Sequence, residues 1–97
     1  MLERNFQSRI IRRLNTEFEG LIILKNDPNY IQGFPDLTLI YCGRVVLLEV
    51  KASKDSKHQP NQDYFIEYLN GFGTPAFFIY PENEEEVFNE IHKSFRT

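Results

Sequence analysis

The stretch Gly33-Phe34-Pro35-Asp36-Leu37-Thr38-Leu39-Ile40-Tyr41-Cys42-Gly43-Arg44-Val45-Val46-Leu47-Leu48-Glu49-Val50-Lys51 decides the fold. It contains two apolar runs, Asp36–Tyr41 and Val45–Lys51, joined by a very short turn around Gly43. Runs of this length and composition read as strands, and the short turn makes them an antiparallel hairpin. Asp36 opens the first run, and Glu49 and Lys51 close the second. Charges inside such runs are costly to bury unless they are paired or bind a metal. Their relative positions depend on the turn. A two-residue loop of Cys42-Gly43 sets Asp36 opposite Glu49, and a loop of Gly43-Arg44 sets it opposite Lys51. Opposed residues share a face, and so do residues two apart, so either loop gathers all three groups on one face. A three-residue loop sets Asp36 opposite Val50 and scatters them.

Upstream of the hairpin, residues 2–19 read as an amphipathic helix. Phe6, Ile10, Leu14 and Phe18 recur every four residues, Ile11 widens the stripe, and Gly20 is a natural stop. Glu3 and Gln7 fall within the apolar arc. A glutamate in a first turn is favoured by the helix dipole. One that projects from the end of the buried face is also a candidate to reach a site at the rim of the sheet. Leu21–Lys25 reads as a strand, and Asn26-Asp27-Pro28-Asn29 as a turn. Gly33 marks a backbone conformation or a close approach that a side chain would block. Pro35 holds the chain extended on entry to its strand.

Downstream, Ala52–His58 is a polar, basic loop. Pro60 suits the first position of a helix, which Gly71 and Gly73 end. Phe65, Tyr68, Leu69 and Phe72 form its apolar face, and Gln62 projects to the same side. Ala76–Tyr80 reads as a buried strand stopped by Pro81. Glu82–Phe95 reads as a last helix with Val87, Ile91 and Phe95 inward and acid in its first turns. The order is α-β-β-β-α-β with a C-terminal helix, an α/β fold with a mixed sheet flanked by helices. The strands on either side of the Gln62 helix are placed to form a right-handed parallel crossover.

The chain of 97 residues suits a single domain, 1–97, with one core. An aromatic content of 14% argues against disorder. With one cysteine there is no internal disulfide, which fits a reducing cytoplasm, and Cys42 in an apolar run reads as a small core residue. No segment approaches the ~18 apolar residues of a membrane span, and Met1–Arg4 leads into a helical pattern rather than a signal peptide. The net charge of −3 comes from residues 82–97, because residues 1–81 balance nine basic against nine acidic side chains. A basic face is therefore compatible with the acidic total. Its candidates are Arg4, Arg9, Arg12 and Arg13 on the first helix, and Lys51, Lys54 and Lys57 around the loop.

Two carboxylates on one sheet face have the hard oxygen donors that Mg²⁺ prefers, and the Val50 carbonyl between Glu49 and Lys51 is a further candidate ligand. A metal-bound water attacking a phosphodiester fits this set. Lys51 then orients or deprotonates the nucleophile or steadies the phosphate. Glu3 supplies a further carboxylate, and Gln62 at a helix start is placed to bond a phosphate or a metal-bound water. Lys54 and Lys57 are candidate phosphate contacts. The plain alternative is an exposed ion pair of Glu49 and Lys51, with Asp36 capping a turn.

Pro35-Asp36, twelve intervening residues and Glu49-Val50-Lys51 resemble the PD-(D/E)XK nuclease signature on its hairpin. With Glu3, Gly33-Phe34 and Gln62 after Pro60, the pattern is similar to the virus-type replication-repair nuclease (VRR-NUC) domain of that superfamily, over nearly the whole chain. The resemblance implies a restriction-endonuclease-like core and a Mg²⁺- or Mn²⁺-dependent deoxyribonuclease. It implies Asp36 and Glu49 as metal ligands and Lys51 as the catalytic lysine. It further implies a homodimer that cuts branched DNA, such as Holliday junctions or flaps, in phage or bacterial replication and repair. A non-catalytic nucleic-acid-binding or assembly subunit with the same fold is the competing expectation.

Overall fold

The computed structural model describes residues 1–96. Strands β1 (Ile22–Lys25), β2 (Leu37–Tyr41), β3 (Arg44–Val50) and β4 (Ala76–Ile79) form one sheet in the order β1-β2-β3-β4. The first three are antiparallel neighbours, and β4 runs parallel to β3. A parallel neighbour requires a crossover, and helix α2 (Gln62–Gly71) supplies it. Helix α1 (Glu3–Glu17) precedes the sheet, and α3 (Glu84–Arg96) follows a single 3₁₀ turn at Pro81–Asn83. The fold is α/β with a four-stranded mixed sheet and helices. Among the described residues, no helix is long and apolar enough to cross a membrane.

The turn that governs the site takes the first of the two expected forms. Tyr41 pairs with Arg44, which leaves Cys42-Gly43 as the loop. Both residues have positive φ, 51° and 79°, as a type I′ turn requires. Leu37 pairs with Leu48, so Asp36 falls opposite Glu49 one step beyond the ladder. The same turn corrects the expectation for Cys42. As a loop residue of the hairpin it is exposed and not part of the core.

Strand alternation divides the sheet into two faces. Leu37, Leu39, Val46, Leu48, Val50 and Ile79 are buried in the core with Phe6, Ile10 and Leu14 of α1 and Val87, Phe88, Ile91 and Phe95 of α3. Each such side chain removed from water contributes roughly 1.5–3 kcal/mol. The opposite face carries Asp36, Glu49 and Lys51 by the same alternation. Helix α2 lies toward it at the β3–β4 side. The Asn70 amide both donates to and accepts from the Ala76 backbone.

Helix boundaries differ from the sequence reading where side chains compete for backbone groups. Helix α2 begins at Gln62, two residues after Pro60. Asn61 adopts the left-handed conformation (φ 72°), and the Gln62 side chain accepts the Gln59 N–H at 2.8 Å. The apolar face of α2 is also rotated from expectation. Phe65 and Leu69 are partly covered, whereas Tyr68 and Phe72 are exposed and Ile66 turns inward. Asn83 bonds the Tyr80 N–H and the Phe78 carbonyl, which holds Pro81–Asn83 in its tight turn and delays α3 to Glu84.

Candidate functional site

The chain reaches Asp36 through a loop that is pinned on both sides. Asn26 donates its backbone N–H to the Asp36 carbonyl, and its side-chain amide bonds the Pro35 carbonyl and Thr38 Oγ1. Gly33 has φ +84°, and a Cβ there would lie 2.5 Å from the Pro60 carbonyl oxygen. Only glycine allows this approach, which brings the Asp36 strand against the segment that starts α2. Both expectations for Gly33, special conformation and close approach, hold.

The Val50 N–H donates to Asp36 Oδ2 at 2.8 Å, so the Asp36 carboxylate is tied to β3 beside Glu49. Gln62 Nε2 donates to Glu49 Oε2 at 3.0 Å, and Gln62 is itself held by Gln59. Glu49 is only 3% exposed, and its Oε1 is buried with no hydrogen-bond partner. Burial pushes its carboxyl pKa up to about 9, with the negative charge of Asp36 adding to the rise and Lys51 opposing it. Lys51 is equally buried at 4%, and its ammonium donates to the Lys57 carbonyl at 3.1 Å. Buried, these groups do not form the exposed ion pair of the plain alternative.

Glu3, in the first turn of α1, is exposed on its outer side but faces the same cluster. Partial burial raises its pKa, Lys51 lowers it and Asp36 raises it again, so the three groups feel one another's charge. Asp36 just before β2, Glu49 and Val50 of β3, Lys51 just after it, Gln62 of α2 and Glu3 of α1 are thus brought together. Lys54 and Lys57 are exposed at the neighbouring loop, where the Lys54 N–H bonds Glu82. His58 stacks on Phe78, the β4 neighbour of Glu49, at 4.3 Å and pairs with Asp63, as a loop residue near the site.

No family, curated protein or solved structure compared with this chain gives a significant match. Among the described residues, no group of three or more His, Cys, Asp or Glu side chains is arranged to hold a metal ion. A cation here would rest on two carboxylates, a backbone carbonyl and water, the hard-oxygen, water-rich pattern typical of Mg²⁺. The donor set fits such an ion. Each carboxylate spends one oxygen on the scaffold, and the other buried Glu49 oxygen has no bond.

Two arginines play a different part from the one their basic cluster offered. Arg13 bonds Glu17, Glu84 and Glu85 and lies 3.8 Å above the Phe88 ring, and Arg9 pairs with Glu84 at 2.9 Å. These bonds, chiefly to Glu85, raise the pKa of Arg13. They also hold the Glu85 carboxyl below its ordinary range. Burial pushes Glu17 up, but bonds from Arg13 and His92 outweigh it and the net direction is down. This clamp joins α1 to α3 and commits Arg9 and Arg13 internally. The signal for it was their four-residue spacing at the edge of the apolar stripe, with Glu84-Glu85 opening the last helix.

Proposed function

We propose that this chain is a divalent-metal-dependent endonuclease that hydrolyses DNA phosphodiester bonds at the Asp36–Glu49–Lys51 site. The observation that carries the reading is the unbonded, buried Oε1 of Glu49 in a one-face cluster with Asp36 and Lys51. A buried carboxyl oxygen without a partner is costly, and costlier still to ionise, unless a cation completes it. Asp36 and Glu49 would hold Mg²⁺ or Mn²⁺, with the Val50 carbonyl as a further ligand. When bound, the ion lowers the pKa of a coordinated water and neutralises charge on the phosphate. The protein residues do the rest. Val50 N–H and Gln62 Nε2 fix the carboxylates in place. Lys51 exchanges its Lys57 carbonyl for the attacking water or a phosphate oxygen. Glu3 orients water from the α1 side, and Gln62, Lys54 and Lys57 meet the strand's phosphates.

The element order and the antiparallel β1–β2–β3 ribbon with parallel β4 support the finer reading of a PD-(D/E)XK core of VRR-NUC type. With it come branched DNA as substrate and a homodimer whose twofold axis relates two cuts. The exposed Tyr64 and Tyr68 of α2, with Phe72 just after it, offer apolar surface for that contact.

The test is cleavage of four-way, flap and linear duplex DNA in Mg²⁺ or Mn²⁺. Loss of about 100-fold or more is expected for both Asp36→Ala and Lys51→Ala. Activity that survives both substitutions would sink the assignment. Salt-dependent binding without cleavage in either metal would point instead to a binding subunit.

A further inference from the structure

The loop that delivers Asp36 is hollow. Asn26, Asp27, Tyr30, Ile31 and Phe34 line a cavity of about 450 Å³. That volume falls within the ~300–1,000 Å³ in which proteins hold small ligands. Its position relative to the catalytic cluster follows from bonds. Asn26 continues the β1 ladder one step past Lys25↔Leu37, and its N–H donates to the Asp36 carbonyl at 2.8 Å. Its side chain bonds Thr38 Oγ1, two residues from Asp36 and hence on the same sheet face. Phe34 rests edge-on against Phe65 at 5.4 Å, on the helix that carries Gln62. The cavity and the carboxylates are therefore adjoining parts of one surface.

The lining has a definite chemistry. Tyr30 is 85% exposed, so packing of the core does not account for it. Ile31 is 43% exposed beside it. Asn26 spends its amide hydrogens on Pro35 and Thr38, and Asp27 Oδ1 accepts the Asn29 N–H. Asn26 Oδ1 and Asp27 Oδ2 then have no hydrogen-bond partner among the described residues, and both belong to anchored side chains. An exposed ring, apolar walls and fixed acceptors match an unpaired nucleobase, which offers a flat face to stack and amino or imino hydrogens to donate. A base inside a duplex has its faces stacked and its pairing hydrogens already engaged.

We propose that this cavity receives one unpaired nucleobase of the bound strand, stacked on Tyr30, beside the phosphate at Asp36 and Glu49. The inference rests on the nuclease reading for the identity of the strand. It adds that the preferred substrate carries an unpaired nucleotide at the site, as a flap or an opened junction does and a continuous duplex does not.

The test uses the full chain in Ca²⁺, which allows binding to be read without relying on turnover. The probes are a duplex with a single 2-aminopurine flap nucleotide and a fully paired duplex with the same base inside. Wild type should quench the flap fluorophore through stacking. Tyr30→Ala should abolish the quench and weaken flap affinity about 5- to 150-fold, the equivalent of ~1–3 kcal/mol for one stacked base. Affinity for the paired duplex should not change, and Tyr30→Phe should keep the quench. Equal thermal melting of the variants excludes a folding defect. Unchanged flap binding in Tyr30→Ala, an equal loss on both DNAs, or no DNA binding by wild type would overturn the proposal. Quenching without cleavage in Mg²⁺ or Mn²⁺ would uphold the pocket while the nuclease reading fails, and cleavage without quenching would do the reverse.

Discussion

Replacing Glu49 by glutamine should make the metal-free protein more stable, although it removes a central residue of the site. The folded-state pKa of Glu49 is raised from 4.5 to about 9 by burial and by Asp36. For an acid this sign means that the ionised form opposes folding. The cost is absent below pH 4.5, grows as pH rises, and levels off above about 9. At pH 7 the protein is 2.5 pH units above the ordinary value. At 1.36 kcal/mol per unit this costs about 3 kcal/mol. Glutamine has the same shape, keeps an oxygen for the Gln62 amide, and carries no charge. Urea melts of wild type and Glu49→Gln in EDTA, from pH 4 to pH 9, read the difference directly. The variant should gain about 3 kcal/mol at pH 7, roughly 12–24 °C in Tm for a domain of this size. The gap should close toward pH 4. Saturating Mg²⁺ should then stabilise wild type and not the variant. A gap that does not vary with pH, or a variant less stable than wild type at pH 8, would refute the reasoning.

Two further substitutions test the scaffold. Gly33→Ala should cost at least about 2 kcal/mol, because strain at positive φ adds to a Cβ placed 2.5 Å from the Pro60 oxygen. Gly73→Ala, with φ +91° and nothing within 4 Å, should cost only the strain, and equal losses in urea melts would count against the close approach. Arg13→Ala should lower stability by about 1–3 kcal/mol, because it strips partners from the buried Glu84 as well as Glu17 and Glu85. An unchanged Tm would remove the clamp from the stabilising interactions.

Much of this arrangement was legible in the sequence because it depends on parity. Once the turn at Gly43 has two loop residues, alternation alone puts Asp36, Glu49 and Lys51 on one face. The Phe6-Ile10-Leu14 stripe and the inward Val87, Ile91 and Phe95 were equally readable, since period alone sets them. What escaped depended on contacts between distant segments. The burial of Glu84 requires Arg9 and Arg13, some 71 residues away for Arg13. The start of α2 is set by the Gln62 side chain competing for the Gln59 N–H, which propensity at Pro60 does not reveal. Cys42 was misread because its apolar neighbours belong to strands while it belongs to the turn. The exposure of Tyr68 and Phe72 reflects the rotation at which α2 crosses the sheet, which no local pattern specifies.

The functional reading stands on the claim that Glu49 Oε1 binds a divalent cation. Anomalous scattering from crystals soaked in Mn²⁺ tests it most directly. The expected result is a single dominant peak between Asp36 and Glu49, in bonding contact with Glu49 Oε1 and an Asp36 oxygen. Crystals without a peak there, or with Mn²⁺ bound only elsewhere on the surface, would contradict it.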